Sequence, residues 1–461
     1  MKKYSTEILL AKIFLIVIII SSYSFPQVSL RDKIGQMIMV GFNGTTVPDS
    51  LSYDLQNRNL GGVILYSPNI RNPQQLQTLT AQLKQLSSSP LLIATDQEGG
   101  TVARLSKRNG FSNTYSAYQL GTVFNSPDST AAQAAEMAQW LSSSGININF
   151  APVADVDVNP NSPAIGAYGR SFSKYPMVVF SHDSAFINEM HKKNIATTLK
   201  HFPGHGSAMT DSHLGFTDIT NTWADSELIP YTRLLENNYS DLIMAGHLFN
   251  AHLDSLYPAS LSYNAVTGLL KDKMGFKGIV ITDDMLMGAI STQYTFSSAI
   301  KLAVNAGDDI LLFAGNLINN KSIVDSVEGI IEQDVYDGKI AASLIDSAYN
   351  KIMNLKQRFL NPASVGNEIA SAKLPDEFTL SNYPNPFNPG TTILLTAAHN
   401  SHAVIRVYNA IGQMVRELLN SDIAKGSYRL KFNGSDLPSG VYIAVLQTGN
   451  TFVTRKLLLL K

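Results

Sequence analysis

Gly278-Ile279-Val280-Ile281-Thr282-Asp283-Asp284 is a short apolar run that stops abruptly at two carboxylates. A run of this length reads as a buried strand whose C-terminal end opens onto polar ground. Seven more runs of the same kind lie outward from it: Met37 to Gly41, Gly62 to Tyr66, Leu91 to Asp96, Ile148 to Pro152, Ala196 to Lys200, Leu242 to Ala245 and Ile310 to Phe313. The segments between them carry helix formers with apolar residues spaced by about 3.6, as in Pro73 to Leu86 and Thr130 to Ser143. Eight such units predict an α/β fold, a closed parallel (β/α)8 TIM barrel. The alternative is a doubly wound open sheet. That fold more often shows a glycine-rich phosphate loop after the first strand, and none is here.

Polar residues stand at the C-terminal ends of these runs: Asp96, Asp155, Lys200-His201, His247 and Asp283. A (β/α)8 barrel builds its active site on that face. Loop starts are polar in any protein, which accounts for a scattered Asp. It accounts less well for Lys-His, a lone His and an Asp pair following apolar strands.

The bulk numbers set limits. The 461 residues are 44% hydrophobic and 15% charged, with a formal net charge of −1. This is the composition of a packed globular protein. It has no basic excess to neutralise phosphates, so nucleic acid is not expected as a partner. The absence of cysteine excludes disulfides, thiolate metal sites, a cysteine nucleophile and a lipid-modified cysteine. Lys2 and Lys3, the apolar stretch Ile8 to Ile20 and the small residues from Ser21 to Ser24 predict a secretory signal peptide over residues 1–26. An uncleaved anchor is the alternative, but the run after Lys12 is short for a membrane span.

The texture changes near residue 360. Residues 28–360 form the barrel, 361–376 read as a polar linker, and 377–461 as a small β-sandwich of immunoglobulin-like character. Short alternating strands such as Ala403 to Tyr408, Gly426 to Leu430 and Gly440 to Val445 are separated by turn signals at Asn433-Gly434 and Pro438-Ser439-Gly440.

Three places carry chemistry. Lys200-His201-Phe202-Pro203-Gly204-His205-Gly206, continuing to Asp211-Ser212-His213, holds three of the nine histidines. Gly204 and Gly206 are expected to make the loop compliant. Asp211 and His213 are close enough in sequence for the carboxylate to hold the imidazole as a general acid/base. A metal site on His201, His205 and His213 is the rival, but the spacing fits no common ligand motif. At Thr282-Asp283-Asp284 neighbouring strand residues point to opposite faces, so one carboxylate faces the barrel mouth, where it can attack an anomeric carbon. Asp284 suits a helix N-cap. In Asp96-Gln97-Glu98-Gly99-Gly100, Asp96 can bind sugar hydroxyls with support from Arg104. Glu98 is either a proton donor or a buried structural carboxylate.

Together the strings Asp96 to Gly100, Ala151-Pro152-Val153-Ala154-Asp155-Val156, Gly169-Arg170-Ser171-Phe172, Lys200 to Gly206 with Asp211 to His213, and Thr282 to Met285 resemble glycoside hydrolase family 3, in its β-N-acetylglucosaminidase branch, over about residues 30–360. The segment before Arg170 is longer than the commonest form of the motif, and Thr101 stands where many relatives have arginine. The resemblance implies Asp283 as nucleophile and His213 as acid/base with Asp211 as its partner. It implies Asp96, Arg104, Arg170, Lys200 and His201 as ligands to N-acetylglucosamine, with His247 lining that pocket. The expected activity is that of a retaining, exo-acting β-N-acetylhexosaminidase acting on peptidoglycan or chitin-type glycans, as a monomer, without metal or cofactor. A phosphorylase making the sugar 1-phosphate and a non-catalytic surface glycan-binding protein are the alternatives. The tail, through Asn382 to Pro389, Val407 to Gln413, Leu437 to Tyr442 and Lys456 to Lys461, resembles the C-terminal sorting domains of type IX secretion substrates. It implies the secretion machinery as a partner and a secreted or outer-membrane-surface location.

Overall fold

The computed structural model describes residues 28–360 and 378–461, apart from residues 384, 398, 424, 425 and 450. The leader expected over 1–26 and the linker expected over 361–376 lie outside the described residues. The chain divides into two compact units, residues 1–366 and 367–461.

The first unit contains the strands β1 (Ile38–Val40), β2 (Gly62–Leu65), β3 (Leu92–Thr95), β4 (Ile148–Asn149), β5 (Ala196–Phe202), β6 (Leu242–Ala245), β7 (Ile279–Thr282) and β8 (Leu311–Phe313). They pair in parallel in the order β7-β6-β5-β4-β3-β2-β1-β8. The open-sheet alternative fails because β7 and β8 also meet. Ile281 bridges Ile310, and Thr282 N donates to Ile310 O at 3.0 Å. Every strand residue is buried. Side chains fill the barrel and helices cover its outside, so these strands read as continuous apolar runs rather than alternating ones.

The helices are α1 (Leu30–Gln36), α2 (Asp49–Asn57), α3 (Pro73–Leu86), α4 (Pro127–Ser143), α5 (Pro176–Lys192), α6 (Ile229–Glu236), α7 (Asn264–Lys273), α8 (Phe296–Ala306), α9 (Ile323–Tyr336) and α10 (Ala342–Leu360). One of α2 to α9 follows each strand. Their apolar stripes face the barrel: α3 buries Leu76, Leu79 and Leu83, and α10 buries Ile345, Ala348, Ile352 and Leu355. Side-chain caps set the starts of α1, α3, α4, α8 and α9. Asn72 Oδ1 accepts Gln75 N at 2.8 Å and Thr295 Oγ1 accepts Ser298 N at 3.2 Å. Each cap contributes about 1 kcal/mol.

The second unit is all-β. Its strands are β9 (Thr379–Tyr383), β10 (Gly390–Ala397), β11 (Ser401–Asn409), β12 (Met414–Ile423), β13 (Gly426–Asn433), β14 (Gly440–Thr448) and β15 (Thr451–Leu459). They form antiparallel sheets in the orders β9-β10-β13 and β12-β11-β14-β15. Alternation sets the inner faces: Ala403, Ile405 and Val407 of β11 and Tyr442, Ala444 and Leu446 of β14 share one core with Ile393, Leu395 and Phe432. The division into sheets of three and four strands is that of an immunoglobulin constant-type sandwich.

Candidate active site

Because all eight strands run in parallel, their C-terminal ends gather at one mouth, where a cavity of about 430 Å³ opens. Its walls include Tyr66 after β2, Asp96 and Glu98 after β3, Lys200 and His201 of β5, Asp283 and Asp284 after β7, and Ala314 after β8.

The buried end is a lattice of charges. Lys200 Nζ lies 2.8 Å from Asp96 Oδ1 and 2.7 Å from Glu98 Oε1. Arg104 reaches Asp96 Oδ2 at 3.0 Å, and Arg170 grips both Glu98 oxygens at 2.7 and 2.9 Å. Burial pushes both carboxyls up, but Lys200 with Arg104 and Arg170 with Lys200 outweigh it. Asp96 is held well below the usual carboxylate range and Glu98 at about 2. Glu98 is therefore ionised at neutral pH and serves as a structural counter-ion, not as a proton donor. The sequence left that choice open. Arg170, despite the long segment before it, is seated in the cavity wall, with a further bond to Ala164 O at 2.9 Å.

Behind this lattice Asp155 organises the loop that follows β5. Its Oδ2 lies 2.7 Å from His201 Nδ1, and its Oδ1 accepts His201 N at 3.0 Å and His205 N at 2.8 Å. With Nδ1–H donated to Asp155, His201 turns Nε2 toward Arg170 NH2, 3.4 Å away. The peptides Lys200–His201 and Phe202–Pro203 are cis. Gly204 and Gly206 do not make this stretch compliant. A Cβ on Gly206 would sit 1.7 Å from Val156 O, and one on Gly204 would sit 2.7 Å from Glu227 Cβ. Residues 202–208 are all buried. The glycines are required by close packing, and the exposed part of the loop begins only at Met209.

That exposed part carries the proton-transfer candidates. His213 Nδ1 lies 2.7 Å from Asp211 Oδ1, which also accepts His213 N at 2.9 Å. Both line the cavity, and the His213 side chain is 55% exposed. Asp283 lines it too. Burial raises its pKa, but the nearby rings of His247, His201 and His213 outweigh burial and leave it lowered. It is an anion at neutral pH. Asp284 is no helix cap: its Oδ1 ties Leu286 N at 3.0 Å to Ala314 N at 2.9 Å, linking the loops after β7 and β8. Burial lifts Asp284 to about 6.

His247 corrects one expectation. It does not line the cavity. It is 1% exposed, with Nδ1 at 2.7 Å from Ser260 Oγ and Nε2 at 2.9 Å from Asp284 O. It stands behind Asp283 as a neighbour, not as a wall. The metal alternative needed three histidines to converge, yet each is engaged by a different partner: His201 by Asp155, His213 by Asp211, and His205 by Ser212 Oγ at 3.0 Å. Burial and His201 push His205 down to about 4, so it stays neutral.

Some wall residues went unread in the sequence. Tyr66 is the last residue of the run Gly62 to Tyr66 and follows β2 directly, a position that marks the barrel mouth. Its ring faces the Arg104 guanidinium at 5.7 Å. Tyr168, at the end of the short helical turn Gly166–Tyr168, and Met287 carry no local signal.

Residues 29–355 match the model of the glycosyl hydrolase family 3 N terminal domain, and residues 381–460 match that of a secretion system C-terminal sorting domain. A beta-hexosaminidase from Tolumonas auensis is 36% identical over 59% of this chain and 81% of its own length. Beta-hexosaminidase A from Pseudoalteromonas piscicida is 32% identical over 72% of this chain. Among solved structures, a family 3 beta-N-acetylglucosaminidase from Paenibacillus sp. superposes with a TM-score of 0.68 at 30% identity over 75% of this chain. A beta-N-acetylhexosaminidase from Beutenbergia cavernae does so with a TM-score of 0.66 at 27% identity, over 72% of this chain and 99% of that one. This chain spans only 58% of the Pseudoalteromonas protein and 65% of the Paenibacillus one.

Proposed function

The chain belongs to glycoside hydrolase family 3, and from that premise we propose that it is a retaining, exo-acting β-N-acetylhexosaminidase releasing terminal β-linked N-acetylglucosamine from cell-wall or chitin-type glycans. The observation that carries the reading is the meeting of Asp283 and the Asp211–His213 pair at one cavity whose buried end is a fixed lattice of charges.

In the first step a carboxylate oxygen of Asp283 bonds to the anomeric carbon. The glycosidic C–O bond breaks, and His213, as imidazolium, gives its proton to the departing oxygen. In the second step neutral His213 takes a proton from water, whose oxygen displaces Asp283. The sugar leaves with its original configuration, and the carboxylate and imidazolium are restored. Asp211 holds the ring in the orientation both transfers need. Asp96, Arg104, Arg170, Lys200 and His201 serve as ligands to the sugar. They are already locked to one another and to Asp155, so binding requires little reorganisation.

A neutral histidine base carries no negative charge to repel an anionic acceptor, and the exposure of His213 leaves room for one. This favours phosphorolysis as the second reading. The tail leads us to propose export through the type IX machinery, to the medium or the outer-membrane surface. Incubation with an aryl N-acetyl-β-glucosaminide, with and without phosphate, tests the activity. Free N-acetylglucosamine is expected in both arms. Sugar 1-phosphate as the main product replaces hydrolase by phosphorylase. No turnover of any N-acetylhexosaminide favours the glycan-binding alternative. Undiminished turnover by Asp283→Ala removes the nucleophile assignment.

A further inference from the structure

The proposed nucleophile is held through its neighbour. Asp283 N donates to Ala245 O at 3.0 Å, which carries the β6–β7 ladder up to the nucleophile itself. Asp283 Oδ1 accepts Asp284 N at 2.8 Å. A backbone donor on Oδ1 holds the carboxylate in one orientation and leaves Oδ2 to react. Where that N–H points depends on how Asp284 is seated.

Asp284 is fixed at both of its other polar ends. From the β8 side Ala314 N donates to its Oδ1 at 2.9 Å. From the β6 side His247 Nε2 lies 2.9 Å from its carbonyl oxygen. A carbonyl only accepts, so Nε2 carries the hydrogen. His247 Nδ1 lies 2.7 Å from Ser260 Oγ. In a neutral ring with Nε2–H, Nδ1 is the acceptor and the serine hydroxyl donates. Burial lowers the pKa of His247 and keeps the ring neutral. Ser260 is fully buried, and its N donates to Gly246 O at 3.2 Å. Donation therefore runs in one direction, from Ser260 to His247 to Asp284, and ends on the residue whose N–H holds Asp283. His247 does not line the cavity, so it does not act on the sugar directly. An apolar side chain would fill its space without burying polar groups, which is costly unless every bond is made.

We propose that His247, oriented by Ser260, is a positioning residue for the nucleophile. It fixes the Asp284 backbone so that Asp283 presents Oδ2 to the anomeric carbon.

The inference rests on the proposed role of Asp283, and its test keeps the two apart. The readouts are kcat/KM on an aryl N-acetyl-β-glucosaminide and the inhibition constant of free N-acetylglucosamine. His247→Leu is expected to lower kcat/KM about 10²-fold through a misplaced nucleophile, with the inhibition constant near the parent value. His247→Gln, whose amide can still donate to Asp284 O, is expected to recover most of the loss. Ser260→Ala frees the ring to take the other tautomer and is expected to lower kcat/KM about fivefold. Parent kcat/KM in His247→Leu, a parallel loss of inhibitor affinity, or no recovery in His247→Gln overturns the positioning role. If His247→Leu does not fold, parent kcat/KM in Ser260→Ala overturns it instead. Undiminished turnover by Asp283→Ala overturns the nucleophile reading beneath it.

Discussion

Asp283 and Glu98 show how neighbours sort carboxylates of one cavity into different jobs. Glu98 is gripped by Arg170 and Lys200 and is held near pKa 2. Among the described residues Asp283 makes no ion pair; its Oδ1 accepts Asp284 N at 2.8 Å, and its charge is available to an electrophile. Glu98→Gln leaves two buried cations short of a counter-ion, an imbalance that costs about 3–5 kcal/mol. Denaturant unfolding is expected to show that loss. The pH profile of kcat/KM should keep its shape, because Glu98 donates no proton; a profile that loses its basic limb would return Glu98 to the role of acid. His213→Ala is expected to lower kcat by about 10²–10⁴-fold on a poor leaving group. The loss should shrink on a dinitrophenyl glycoside, which needs no proton to depart. Equal losses on both would remove His213 as the acid. Much of this was legible in the chain, since Lys200-His201 and Asp283 follow apolar runs directly. The pairing of Glu98 with Arg170 was not, because 72 residues separate them.

At the scale of the element, the loop after β5 divides into a rigid half and an open half. Gly206 is pressed against Val156 O, whereas Gly215 has nothing within 4 Å of a Cβ. Gly206→Ala is expected to cost about 1–3 kcal/mol as an overpacked site, with activity lost through the displaced His201 and His205. Gly215→Ala should be close to neutral. Similar melting temperatures for the two variants would refute the division.

The rigid half also has a titrating support. Glu227 Oε2 accepts Gly206 N at 3.1 Å. Burial first, with help from Asp155, lifts its carboxyl from 4.5 to about 7. The folded state then holds a proton that the unfolded chain releases near 4.5. This contribution to stability is full below pH 4.5 and is lost as pH rises through about 7. Its size is on the order of 3 kcal/mol. Denaturation midpoints at pH 5 and pH 8 should fall further in the parent than in Glu227→Gln; equal falls would remove Glu227 as the source. The spacing of glycines in sequence signalled a special loop but suggested flexibility. Only the approach of Val156 and Glu227 shows that the space is filled.

At the scale of the molecule, every cavity-lining residue falls between Ile64 and Ala314, within the first unit. That unit has its own core, as does the second. A chain ending at residue 360 is expected to keep kcat/KM on an aryl N-acetyl-β-glucosaminide to within about twofold. A much larger fall would mean that the tail takes part in catalysis. The sequence by itself determined the succession of eight buried strands, the all-β tail, and the polar residues at the strand ends. These are local properties, written in apolar runs, helix periodicity and turn residues. The tertiary structure alone decided that the barrel closes through Ile281 and Ile310, that Glu98 is a counter-ion, that His247 stands behind the wall, and that Tyr168 stands in it. Each of these depends on which distant segments touch, and side-chain charge and exposure are set by neighbours that the chain brings together only on folding.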